Sequence, residues 1–132
     1  MKKPKQTVIH DWLGDAAENL VRYYFACEDF EVFGGNKWGA DIVGYDKQLS
    51  FDERKWWKIE VKSTDRIAGP FHHANLETLA RKADLLVQIR FFRNKPIKCA
   101  ITKLSTEERG KRCWVEKVGD IREFLYGSPK KN

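Results

Sequence analysis

At 132 residues the chain has room for one hydrophobic core and little for two. Hydrophobic residues make up 42% and charged residues 33%; no apolar run reaches a membrane span, and MKKPKQTVIHDW lacks the apolar stretch and cleavage site of a secretory signal. A cytoplasmic protein outside the membrane is therefore expected, and its 25 Lys and Arg against 19 Asp and Glu, net +6, favour a polyanionic partner.

Residues 1–5 form a basic lead-in. From Thr7 to Glu28, Val8, Ile9, Trp12, Leu13, Ala16, Ala17, Leu20, Val21, Tyr24 and Phe25 recur at three- and four-residue spacing, which predicts an amphipathic helix with Thr7 as its cap. Gly14 inside it implies either close packing or a true start between Asp11 and Asp15. Glu18 stands beside the apolar stripe, where an ion pair with Arg22 one turn later accounts for it as well as a functional role does.

Phe30 to Phe33 alternates like a short strand, and Gly34 to Gly39 is a glycine-rich loop without the spacing of a phosphate cradle. Its use is either to bring backbone close to a ligand or to deliver Asp41 to the strand Asp41 to Tyr45. A polar connection, Asp46 to Lys55, leads back into the strand Trp56 to Thr64 (WWKIEVKST). Side chains alternate along a strand, so Glu60 and Lys62 share one face while Ile59, Val61 and Ser63 take the other.

Beyond Gly69-Pro70, His72 and His73 precede a helix from Asn75, its expected cap, to Ala83. Asp84 to Phe92 and Ile97 to Leu104 read as further strands, and Cys113 to Val118 as an edge strand. Asp120 with Glu123 has the pattern of a capping box for a last helix ending at Gly127. Cys27, Cys99 and Cys113 show no C-x-x-C pairing and read as ordinary thiols. The expected architecture is α/β, one domain over 1–132 with a core about 7–104, an extension 105–127 and a basic tail 128–132; a central mixed sheet carries helices on both sides.

Onto this order fall Glu18, Asp41, Glu60 and Lys62. Two carboxylates converging from adjacent strands suit a hard divalent ion such as Mg²⁺, with Mn²⁺ as a substitute, because Mg²⁺ takes only one or two protein carboxylates and keeps room for waters and a phosphate oxygen. A lysine beside them can orient or deprotonate a water or neutralise charge growing on phosphorus. Lys37, Trp38, Arg66, His72 and His73, in the flanking loops, are candidates for gripping phosphates or stacking on a base.

Asp41, then Glu60-Val61-Lys62 after an 18-residue gap, with a helical Glu18 before them, resembles the PD-(D/E)XK nuclease superfamily over about Asp11 to Phe92. Within it the chain is most similar to archaeal Holliday-junction resolvases and related small endonucleases, through a strand like FEV, a glycine-bearing loop, Asp-Ile and Ile-Glu-Val-Lys. Two positions depart from the pattern: Ala40 replaces the proline that names the motif, and Asp29 stands where such chains often have glycine. The resemblance implies a three-layer α/β/α restriction-endonuclease-like fold and a metal-dependent endodeoxyribonuclease. It further implies Asp41, Glu60 and the Val61 carbonyl as metal ligands, Lys62 as the catalytic lysine and Glu18 as an outer or second-metal acid. A structure-selective resolvase cuts symmetrically and so is expected as a homodimer on double-stranded or branched DNA. The alternative from the residues is a non-catalytic nucleic-acid-binding module whose acids sit in structural pairs.

Overall fold

The computed structural model describes residues 6–35, 39–64, 75–92 and 94–127, with side chains from residue 11 onward. Helix α1 spans Gln6–Cys27. Thr7 therefore falls inside the helix and not at its cap. Gly14 is an interior helical residue with open space around it, so neither tight packing nor a late start explains it. The buried stripe begins at Ala17 and continues through Val21 and Phe25, flanked by Leu20 and Tyr24. Trp12, expected on that stripe, is 61% exposed, because α1 meets the core only from Ala17 on.

The turn after α1 places Asp29 at φ 71°, a left-handed conformation that aspartate tolerates better than most residues. Strands follow at β1 (Phe30–Gly34), β2 (Ile42–Asp46) and β3 (Trp57–Thr64), then helix α2 (Leu76–Ala80) and strands β4 (Leu85–Arg90), β5 (Lys98–Lys103) and β6 (Arg112–Trp114), with helix α3 (Asp120–Tyr126) last. Helix α2 is shorter than its sequence pattern. Asn75 caps it as expected, accepting from the Thr78 N–H, but Lys82 and Ala83 already belong to the turn that aligns Asp84 with Lys58. The edge strand β6 also stops early, at Trp114, with one more bond from the Val115 N–H to the Cys99 carbonyl.

The strands form one six-stranded mixed sheet in chain order. β1, β2 and β3 are an antiparallel meander, β3 and β4 run parallel, and β4, β5 and β6 are antiparallel again. Parallel neighbours need a crossover, which explains why α2 interrupts the strands at that point.

Register and alternation divide the sheet into two faces. Phe30, Ile42, Ile59, Leu85, Val87, Ile89, Cys99 and Ile101 point to one face and pack with Ala17, Val21 and Phe25 of α1 and Ile121 of α3. Each such buried aliphatic or aromatic side chain contributes about 1.5–3 kcal/mol of transfer free energy, so this is the principal core. The opposite face has a smaller cluster, Leu79, Ala83, Leu86 and Leu104, under α2. The remainder of that second face carries Glu60, Lys62, Lys58, Phe33, Tyr45 and Trp56, a different chemistry from the core side.

The carboxy-terminal helix is tied down differently from the capping box its sequence suggests. Gly119 precedes α3 at φ 105° and offers no side chain, and Asp120 turns backwards to accept from the Glu116 and Lys117 N–H groups. The helix N–H groups of Ile121 and Arg122 instead donate to Glu28, at 3.0 and 2.8 Å. The Arg122 guanidinium then grips the fully buried Asp46 at 2.6 and 2.8 Å and donates to the Glu28 carbonyl at 2.8 Å. A carboxylate at the positive end of a helix and a bidentate arginine on a buried acid are both favourable arrangements. Among the described residues no helix is long and apolar enough to cross a membrane.

Candidate active site

The site begins with a tight backbone contact. Gly35 donates to the Asp41 carbonyl at 3.0 Å, and Ala40 donates to the Gly35 carbonyl at 3.3 Å. A Cβ on Gly35 would lie 2.4 Å from the Ala40 carbonyl oxygen, which only glycine avoids. Of the two uses expected for the glycine-rich loop, the described residues show the second: Gly35 and Ala40 are held together, and Asp41 arrives at the head of β2.

Residues 42–44 of β2 pair with residues 57–59 of β3, so the next pair in register is Asp41 with Glu60. Regular pairing with β2 stops short of Val61. The Asp41 carboxylate takes up the Val61 N–H at 2.8 Å in place of a ladder bond. One side chain thus completes the sheet and brings its charge beside Glu60, which its sequence neighbours already aim at the same face.

Glu60 is 5% exposed. Burial pushes its carboxyl above the ordinary range, and so does the neighbouring Asp41 through its charge and a side-chain hydrogen bond; Lys82 and Lys62 oppose the shift. The Lys62 Nζ lies 3.9 Å from Glu60 Oε1, and the Lys82 Nζ lies 3.5 Å from Oε2. Both lysines are about half exposed, with side-chain accessibilities of 43% and 47%, so each can reach a ligand from the position it holds.

Glu18 approaches from α1. Burial raises its pKa, the Asp41 charge raises it further, and Arg22 lowers it. The expected Glu18–Arg22 ion pair is not formed among the described residues; Arg22 influences Glu18 through space while its terminal nitrogen lies alongside Gly34. An α-helical i,i+4 pair is worth only a few tenths of a kcal/mol, too little to hold Arg22 when another position is open to it.

Asp41 and Glu60 fit a divalent cation in donor chemistry and number: two carboxylates from adjacent strands, one of them buried and with its pKa raised by that burial and by the charge of the other. Among the described residues no group of three His, Cys, Asp or Glu side chains is placed to hold a metal together, so Glu18 is an electrostatic neighbour and not a third ligand in this arrangement. The Val61 residue is fixed by its N–H bond to Asp41. Lys37, Trp38, Arg66, His72 and His73 lie outside the described residues.

Lys82 is a functional candidate that sequence reasoning missed. It sits at the end of the predicted helix, off its apolar side, and only the parallel pairing of Leu86 with Glu60 brings the end of α2 beside the carboxylate. A cavity of about 630 Å³ lies elsewhere, between the end of α1 and the β5–β6 edge, and none of these groups lines it. Its Cys99 thiol is pushed up to about 12 by burial, which leaves it inert as a nucleophile near neutral pH.

No protein-family model, no curated protein and no solved structure matches the chain.

Proposed function

We propose that the chain is a divalent-metal-dependent endonuclease that hydrolyses DNA phosphodiester bonds, with a three-layer restriction-endonuclease-like arrangement. The observation that carries the reading is the Asp41–Glu60 carboxylate pair on neighbouring strands, with Lys62 on the same strand and face as Glu60. The succession of helix, three-stranded meander, crossover helix and parallel strand supports it, as does the net charge of +6.

Asp41 and Glu60, with the Val61 carbonyl, would hold Mg²⁺, which supplies Lewis-acid polarisation of a phosphoryl oxygen when bound. Asp41 uses one oxygen on the Val61 N–H and so presents its carboxylate from a fixed direction. A cation held there would offset the cost that burial and the Asp41 charge place on the Glu60 carboxylate. Lys62 orients the attacking water or balances charge on the phosphate, and Lys82 supplies a second cation on the far oxygen of Glu60. Symmetric cutting of a branched substrate would require two copies of this site, hence a homodimer.

Cleavage of plasmid and four-way-junction DNA with Mg²⁺ or Mn²⁺ tests the reading. Wild-type protein cuts, and Asp41→Asn and Lys62→Ala reduce the rate at least a hundredfold. Absence of cleavage on every substrate, or equal cleavage by the variants, removes it. The alternative, a non-catalytic binding module, draws on the structural bonds of the same acids, Asp41 to the Val61 N–H and Glu60 to Lys82. It predicts salt-dependent DNA binding that neither divalent metal nor Asp41→Ala alters, read by calorimetric titration.

A further inference from the structure

The sheet face that carries Asp41, Glu60 and Lys62 also carries an aromatic cluster. Phe33 of β1 pairs with Val43 of β2, and Val43 pairs with Lys58 of β3; antiparallel partners share a face, so Phe33 and Lys58 lie on the face of Glu60. Trp56 stands one alternation further along, and its ring meets Tyr45 at 5.0 Å and Phe33 at 6.0 Å between centroids. The Arg54 guanidinium covers Tyr45 at 4.7 Å and is itself fixed to the Leu49 carbonyl at 3.1 Å. Glu31, the acid in this neighbourhood, pairs with Lys47 at 3.7 Å.

These rings are not core. Trp56 is 56% exposed and Phe33 is 44% exposed, and the principal core lies on the other side of the sheet. A lone exposed ring on a protein surface calls for no explanation, but a Trp56 ring that meets both Phe33 and Tyr45, beside a guanidinium, forms a patch with a direction. The direction is set by the strands. A strand advances about 3.3 Å per residue, so Phe33 lies about 7 Å and Trp56 about 13 Å from the row of Asp41 and Glu60, with Lys58 between.

We infer that Trp56, Phe33 and Tyr45 form a stacking platform for unpaired bases of a nucleic-acid strand whose backbone runs past Lys58 toward the Asp41–Glu60 pair. Duplex interiors hide the faces of their bases, whereas single-stranded segments offer every base a π-face, and proteins that hold such strands combine aromatic rings with cations along the backbone. The inference rests on the nuclease reading for the fate of the bound strand, and it narrows the substrate class to nucleic acid with a single-stranded segment, such as a flap, a gap or an opened branch.

The test is fluorescence anisotropy of a fluorescein-labelled oligodeoxythymidine and of a duplex of equal length, in EDTA so that nothing is cleaved. Wild-type protein binds the single strand more tightly than the duplex. Trp56→Ala weakens single-strand binding about tenfold, equivalent to about 1.4 kcal/mol, while Trp56→Tyr retains it and Trp12→Ala, on the exposed side of α1, leaves it unchanged. Circular dichroism of each variant checks folding, and Phe33→Leu provides a second probe of the same cluster. Equal binding by wild type and Trp56→Ala, or a tenfold preference for duplex, would overturn the inference. Wild-type protein that shows Trp56-dependent binding yet cuts no DNA with Mg²⁺ or Mn²⁺ removes the nuclease reading and leaves the platform standing.

Discussion

Replacing Arg122 with methionine tests whether the carboxy-terminal helix is a structural clamp. Asp46 is fully buried at the end of β2, and Arg122 supplies two of its hydrogen bonds, at 2.6 and 2.8 Å. Burial alone pushes the Asp46 carboxyl up, but the Arg122 hydrogen bonds and charge, with the Gln48 N–H, outweigh it and hold the group below its ordinary range. Methionine keeps much of the side-chain volume and leaves that carboxylate buried without its cation. Breaking a buried pair from one side costs about 3–5 kcal/mol, and since Arg122 retains 27% side-chain exposure the low end, about 3 kcal/mol, applies.

Urea unfolding at pH 7, followed by tryptophan fluorescence, measures this directly. A loss of about 3 kcal/mol is a large share of the roughly 5–15 kcal/mol of a typical domain and lowers the midpoint well outside error. Asp46→Asn costs less, because the cation it leaves unpaired, Arg122, keeps 27% side-chain exposure and its bond to the Glu28 carbonyl, and the double variant Arg122→Met with Asp46→Asn recovers stability relative to Arg122→Met alone. The pH dependence has a definite sign. A carboxyl whose folded pKa is depressed contributes stability that is present above its unfolded value and lost as pH falls through the folded one. In Arg122→Met burial is opposed only by the hydrogen bonds that remain, from Gln48 and Tyr126, so that pKa rises relative to wild type and the deficit narrows as pH falls from 7 toward 4. A deficit under about 1 kcal/mol at pH 7, or one that stays constant with pH, would refute the clamp.

Two further outcomes follow from the site. Gly35→Ala forces a Cβ to within 2.4 Å of the Ala40 carbonyl, so the loop must open and Asp41 must shift; metal binding by calorimetry falls at least tenfold while helix content by circular dichroism stays near wild type. Glu60 is a carboxyl with a raised folded pKa, whose contribution to stability is present below its unfolded value and lost as pH rises through the folded one. Glu60→Gln at pH 7 therefore melts at or above the wild-type temperature in EDTA; on the proposed metal site it also lacks the rise in melting temperature that Mg²⁺ would give the wild type, whose Mg²⁺ affinity would weaken as pH falls through the Glu60 range. Melting of Glu60→Gln several degrees below wild type in EDTA would contradict the assignment of Glu60 as a strained acid.

Much of the frame was legible in the chain. The two-residue period of Trp57–Thr64 put Glu60 and Lys62 on one face, and the three- and four-residue period from Ala17 to Phe25 gave the buried stripe of α1. These signals are local, because a side chain's direction along one element follows from backbone geometry alone. They fail where the periodic pattern outruns the partner surface, as at Trp12, which keeps helical spacing but has no core beneath it. They also fail where a backbone donor is satisfied from a distance: Asp120 and Glu123 spell a capping box, yet Glu28 caps α3 from more than ninety positions away.

Residue types and spacing by themselves determined that an acid and a lysine stand together on a strand, that a second acid opens the preceding strand, and that a glycine-rich loop comes before it. Only the tertiary structure decided that Asp41 meets Glu60 and bonds the Val61 N–H, that Lys82 joins Glu60, and that Phe33, Tyr45 and Trp56 gather on the same face. Each of these depends on the register between strands and on the parallel seating of β4 beside β3. Register is set by burying one apolar face against segments distant in the chain, so no local period can specify it.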